Sequence, residues 1–284
     1  MSPVPRRPGI RLPGSYAARA AEVLAGRIPP AEPRDAATVM LLRPAGGHGL
    51  EVYLLRRRPS MAFAPGAVVF PGGSADARDA DTEAGWAGPD ATEWGRLLDA
   101  PAGLARVLVC AAVRETFEES GVLLAGPAAG TVVGSTAGQG WEADRAALLA
   151  GSISLAGLLA GRGLVLRSDL LRPWSRWVTP VTEERRYDTR FFAAALPPGQ
   201  QARDVSGEAD RAGWFRPGEA LAAARRGEIM LLPPTAVTLG ELAACGDVAT
   251  ALAVRRRVTA LIPEVFLADG AVWLTVPPGT EYPL

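Results

Sequence analysis

The chain has 284 residues, 48% of them hydrophobic, room for one large domain or two small ones at roughly 100–200 residues each. Thirty basic residues, all arginine, balance 30 acids, and a neutral chain without a basic tail lacks the electrostatic footprint of a nucleic-acid binder. One histidine, His48, and two cysteines, Cys110 and Cys245, cannot supply a four-ligand structural zinc site or a disulfide framework, and with no lysine there is no Schiff-base chemistry.

Residues 1–36 read as an N-terminal arm rich in Pro, Arg and Ala, without the apolar core of a signal peptide and with a short helical pattern from Tyr16 to Ala25. Residues 37–284 read as a single domain. Thr38 to Leu42 and Glu51 to Leu55 form a strand pair around the turn Gly46-Gly47-His48-Gly49, a loop too flexible to aim His48 as a triad base. Ala67 to Phe70 is a third strand, stopped by Pro71-Gly72-Gly73. Residues 74–99 are acidic and irregular. Asp99 is expected to cap a helix that holds Pro101 in its first turn and ends at Gly121.

Two helices follow near 142–150 and 154–161, then a strand over Arg186 to Ala193 and another at Gly213 to Phe215. Pro217 opens a helix to about Arg226, residues 235–257 read as one helix, and Ala271 to Val276 as a last strand. No run of about 18 apolar residues predicts a membrane span. Two separated cysteines make a reducing cytoplasm the default location.

The chemistry gathers in Arg114-Glu115-Thr116-Phe117-Glu118-Glu119-Ser120-Gly121-Val122. On a helix, Glu115, Glu118 and Glu119 stand at i, i+3 and i+4 and share a face. Upstream, apolar residues line both sides, so the helix is expected to be sandwiched and to bring three carboxylates to the edge of the packing. Three like charges this close call for a cation, and Mg²⁺ or Mn²⁺ suits oxygen donors. Arg114, one turn before Glu118, is placed to neutralise part of the cluster. A solvated acidic helix end is the alternative on these residues alone.

The segment resembles the second half of the Nudix box, Gly-x5-Glu-x7-Arg-Glu-U-x-Glu-Glu-x-Gly-U with U aliphatic, through Arg114, Glu115, Glu118, Glu119, Gly121 and Val122. Phe70-Pro71-Gly72-Gly73 is similar to the strand and turn that open the box. Departures are Thr116 at an aliphatic position, Asp79 where the first acid belongs, and a span of 41 positions from Gly73 to Arg114, 27 more than in the uninterrupted pattern. Such an interruption resembles the peroxisomal coenzyme A diphosphatase branch of the Nudix hydrolases. So do Phe63 to Gly73, Trp177-Val178-Thr179-Pro180, Arg185 to Phe192 and Leu232-Pro233-Pro234-Thr235. Ala62 stands where the coenzyme A signature of related diphosphatases has Arg.

The resemblance implies an α/β fold, a Nudix-type α/β/α sandwich with a mixed sheet. It would carry an insertion at 74–99 inside the box and helical decorations at about 140–165 and 235–257. It implies metal-dependent hydrolysis of a nucleoside diphosphate-linked small molecule, first coenzyme A or acyl-coenzyme A. The alternatives are ADP-ribose, a dinucleotide or a nucleoside triphosphate, or a catalytically silent nucleotide sensor. Glu115, Glu118 and Glu119 would hold Mg²⁺ or Mn²⁺ beside Arg114. Glu208, ahead of Trp214, is the candidate further ligand or base, with Asp204 and Asp210 as rivals. Gly72 and Gly73, with Arg57, Arg186 and Arg190 as phosphate contacts, complete the expected substrate site. A homodimer is compatible with the resemblance, and neither nucleic acid nor membrane is an expected partner. The final residues, Glu281 to Leu284, do not read as a peroxisomal address.

Overall fold

The computed structural model describes residues 9–61, 64–83, 85–205 and 209–284. In chain order they form Ile10–Arg11 (β1), helix Ala17–Leu24 (α1), Arg34–Pro44 (β2), Leu50–Arg57 (β3), Ala67–Val69 (β4), Gly72–Ser74 (β5) and Gly85–Ala87 (β6). Helices Ala91–Leu98 (α2) and Ala102–Ser120 (α3) come next, then Ala125–Gly126 (β7), helices Gln139–Leu149 (α4) and Leu155–Gly161 (α5), and Val165–Arg167 (β8). The rest comprises Arg172–Val178 (β9), Tyr187–Ala195 (β10), Ala209–Phe215 (β11), helix Pro217–Arg225 (α6), Met230–Leu231 (β12), helices Pro233–Cys245 (α7) and Val248–Ala253 (α8), Ala260–Leu261 (β13), Glu264–Ala268 (β14) and Ala271–Thr275 (β15).

The main sheet runs β12-β4-β3-β2-β10-β9-β13, with β11 added to β3 and β5 to β2. It is mixed: β2 and β10 are parallel, whereas β2–β3, β9–β10 and β3–β11 are antiparallel. The central strands are buried on both faces and therefore read as nearly continuous apolar runs. Ala37, Val39, Leu41, Tyr53, Leu55 and Phe192 face α2, α3 and α5, while Met40, Leu42, Val52, Leu54 and Phe191 face α6, α7 and α8. Two helical layers around a mixed sheet make the α/β/α sandwich. A separate sheet, β1-β15-β14, packs with α1 around Ala20, Val265, Val272 and Leu274.

Several sequence expectations change. The described residues of 74–99 form regular elements: a 3-10 turn at Ala77–Ala80, then β6 and α2. Asp99 does not start α3 but ends α2 in the left-handed region at φ 52°, and Pro101 immediately precedes α3. The expected single helix over 235–257 divides into α7 and α8. Gly246, at φ 79°, breaks it, and Asp247 recaps α8 by accepting from Thr250 N–H at 2.7 Å. Within the expected arm, β1 pairs with β15 and α1 packs on the terminal sheet. Strands β9 and β14 carried no clean period-2 signal.

Candidate active site

Helix α3 is buried on both sides from Ala105 to Phe117, so its position is fixed by packing rather than by its own amphipathicity. Gly121 stops it at φ 72°, a conformation that favours glycine. Thr116, unusual at an aliphatic position, is fully buried and satisfied: its hydroxyl donates to Ala112 O at 2.7 Å.

Arg114 is the hub. All five guanidinium N–H groups have acceptors: Asp79 Oδ1 at 2.9 Å and Oδ2 at 3.0 Å, Ser74 O at 2.9 Å, Glu115 Oε1 at 2.8 Å and Glu118 Oε2 at 3.1 Å. Asp79 is 2% exposed, so the inserted segment returns an acid to the catalytic helix despite its length. Arg106, the residue eight before Arg114, instead stacks on Trp86 at 4.7 Å.

The two glycines act on the carboxylates directly. Gly72 N–H donates to Glu119 Oε2 at 2.8 Å. A Cβ on Gly73 would lie 2.5 Å from Glu115 Oε1, and one on Gly72 would lie 2.5 Å from Ala37 O. Only glycines allow β5 to lie this close to both β2 and the helix.

Among the described residues, no group of three or more His, Cys, Asp or Glu converges in a ready metal cage. The expected three-glutamate site is not assembled in this arrangement, because Arg114 occupies the space between Glu115 and Glu118 while Glu119 turns to Gly72. The donor set nevertheless fits a hard divalent ion. Its donors are all oxygens: three carboxylates, Asp79, Glu115 and Glu118, surround one guanidinium, and Glu119 lies one residue beyond Glu118. Glu115 Oε2 and Glu118 Oε1 have no hydrogen-bond partner among the described residues. Burial first, then repulsion from Glu118 and Asp79, pushes the Glu115 carboxyl up to about 7 against the pull of Arg114. Burial raises Glu118 as well. A site that strains to keep its carboxylates ionised has a deficit of positive charge.

Tyr53, on β3 and 2% exposed, carries a buried hydroxyl with no hydrogen-bond partner among the described residues. Burial raises its pKa, and Asp204 and Glu119 both add to the rise, so the loop that bears Asp204 reaches the same region as the helix. No sequence pattern marked Tyr53, whose place on an apolar strand reads as core. Glu208 lies outside the described residues.

The expected phosphate-binding arginines lie at the end of β3 and around the start of β10. Arg190 is 1% exposed and paired with Asp188 at 2.8 Å and Asp35 at 3.4 Å, which braces β10 against β2. Arg186, just before β10, donates to Thr179 O at 3.0 Å and Ala31 O at 2.7 Å. As placed, both hold backbone and sheet. Arg57, half-buried at the end of β3, follows Tyr53 and Leu55 by strand alternation onto the face that α3 covers. Trp177 and Phe191 are core residues, the latter in an edge-to-face contact with Phe70 at 6.4 Å.

The sequence profile of the NUDT19 Nudix domain matches residues 90–242. The chain is 31% identical to the human acyl-coenzyme A diphosphatase NUDT19 over 228 residues, covering 68% of this chain and 60% of that protein. It is 29% identical to the chicken protein of the same name, covering 71% of this chain and 65% of that one. The chain thus spans less than two thirds of the length of these relatives. A crystal structure of a Nudix hydrolase from Alicyclobacillus acidocaldarius superposes with a TM-score of 0.67 at 30% identity, over 80% of this chain and 98% of that one. With its box residues gathered on α3 around Arg114, the chain belongs to the Nudix hydrolase family, in the group of the NUDT19 Nudix domain.

Proposed function

We propose that the chain is a divalent-metal-dependent diphosphatase that hydrolyses the pyrophosphate of coenzyme A or an acyl-coenzyme A, giving 3′,5′-ADP and (acyl-)phosphopantetheine. The observation that carries this reading is the carboxylate cluster of α3, in a chain whose relatives are named for that reaction.

Glu115, Glu118 and Glu119 would hold the ion, Mg²⁺ or Mn²⁺, whose chemistry is to neutralise pyrophosphate charge and to lower the pKa of water. Arg114 does not serve the phosphates directly, because its five donors are spent on Asp79, Ser74 O, Glu115 and Glu118. It orients two of the three glutamates. Gly72 orients the third through its N–H. Glu208 is our candidate base. Its assignment is supported by Asp204, four residues earlier, acting on the same Tyr53 hydroxyl as Glu119. Arg57 is the expected arginine best placed to meet substrate. Two free cysteines and the absence, among the described residues, of any helix long and apolar enough to cross a membrane support cytoplasmic location. A homodimer remains part of the proposal. Ala62, in place of the signature Arg, favours ADP-ribose or a dinucleotide as the second reading.

The test is a substrate panel of coenzyme A, an acyl-coenzyme A, ADP-ribose, NADH and a nucleoside triphosphate, with Mg²⁺ or Mn²⁺. Release of 3′,5′-ADP from the coenzyme A compounds is expected. Cleavage of ADP-ribose or NADH with coenzyme A untouched overturns the substrate assignment.

A further inference from the structure

A helix end leaves its final carbonyls without intrahelical partners, and the last turn of α3 is the one that carries Glu118 and Glu119. Two distant segments take up these carbonyls. Arg145 of α4, with a side chain 12% exposed, donates Nη1 to Glu118 O at 3.2 Å. The Arg203 backbone N–H donates to Ser120 O at 2.9 Å. Thr136 Oγ1 donates to Gly121 O at 2.6 Å and itself receives Arg203 Nη2 on its carbonyl at 3.2 Å. Glu142 joins the two arginines, with Oε2 3.0 Å from Arg145 Nε and Oε1 2.9 Å from Arg203 Nη1. Beside them Gln200, 4% exposed, accepts from Leu123 N–H and donates to Leu123 O and Val133 O. Both guanidiniums lie at the negative end of the helix, where positive charge is favourable.

We propose that Arg145, held by Glu142 and joined to Arg203, is a positioning residue for the glutamates of α3. Side-chain directions turn with the backbone of a helix. Fixing the carbonyls of Glu118 and Ser120 therefore fixes where the Glu118 and Glu119 carboxylates point. The same knot ties the segment 200–205, which carries Asp204, to that turn. On this account α4 is a strut for the metal-binding end of the helix, reached from the far side by a residue that touches no substrate. Only the ion-binding readout below rests on the metal-dependent reading.

The experiment compares Arg145→Ala, Arg145→Lys and Arg162→Ala in the full chain. Arg162 stacks over Trp141 at 3.7 Å and pairs with Asp144, so its loss disturbs α4 without removing a bond to α3. Amide hydrogen exchange over residues 114–122 is followed without metal, and Mn²⁺ affinity is measured by calorimetry. Arg145→Ala is expected to speed exchange in the last turn and to weaken Mn²⁺ binding about fivefold, less than the tenfold or more contributed by direct partners of metal ligands. Arg145→Lys should restore part of both, and Arg162→Ala should leave both at the wild-type level. Equal effects from Arg145→Ala and Arg162→Ala, or none from Arg145→Ala, overturn the proposal. A wild-type chain that binds no Mn²⁺ removes the metal chemistry of the proposed function, and exchange alone then decides the role of Arg145.

Discussion

At the scale of single residues, the two adjacent glycines answer to different neighbours. The three atoms nearest a methyl group on Gly73 all belong to the Glu115 carboxylate, the first 2.5 Å away, while one on Gly72 meets the β2 backbone at Ala37 O and Thr38 Cα. Gly73→Ala is therefore expected to keep the melting temperature and to lose activity about a hundredfold, the scale of a misplaced catalytic group. Gly72→Ala should lose about 1–3 kcal/mol of stability, as overpacked sites do. Matched melting and activity losses in the two variants would contradict this division. Glu115 sets a pH dependence. Its carboxyl rises from 4.5 to about 7 in the fold, so between those values the folded chain binds more protons than the unfolded one. The metal-free protein must lose stability as pH rises through that window. A divalent ion that pairs with the ionised form removes the loss. The gain in melting temperature on adding Mg²⁺ should grow from pH 5 to 7 and then level off, and a gain independent of pH would exclude Glu115 as a ligand.

At the scale of elements, α3 is enclosed on both sides, and its thiol reports on that enclosure. Cys110 is 3% exposed, and burial pushes it up to about 12, whereas Cys245 at the end of α7 is half-buried. A thiol reagent at pH 8 should titrate one cysteine in the native chain and two in denaturant. Two rapidly reacting native thiols would mean that α3 is not held between the layers. The spacing of Glu115, Glu118 and Glu119 was legible because helical period alone places them on one face. The return of Asp79 to Arg114 was reachable only by counting from Gly73, since nothing local says how a long insertion closes. The partners of Arg186 and Arg190 were not legible: Arg186 donates to the distant carbonyls of Thr179 and Ala31. Arg190 pairs with the acid two residues away on its own strand and with Asp35 on the neighbouring one, a pairing across strands that nothing local in the sequence marks.

At the scale of the whole molecule, the sandwich was legible where strands are apolar on both faces, as in β2 and β10, and where Gly121 and Pro217 punctuate helices. It was illegible where pairing is purely non-local. The strands of the terminal sheet meet across the length of the chain, Ile10 against Leu274, and the support of α3 by Arg145 and Arg203 joins segments that share no motif. Sheet, insertion and supporting helix converge on the last two turns of α3, and the account stands or falls on the carboxylates there. The most direct measurement is the rate of 3′,5′-ADP release from coenzyme A with Mg²⁺, wild type against Glu118→Gln. The account predicts a loss of about a hundredfold or more in kcat with the fold intact by circular dichroism. A variant that turns over coenzyme A at close to the wild-type rate would contradict it.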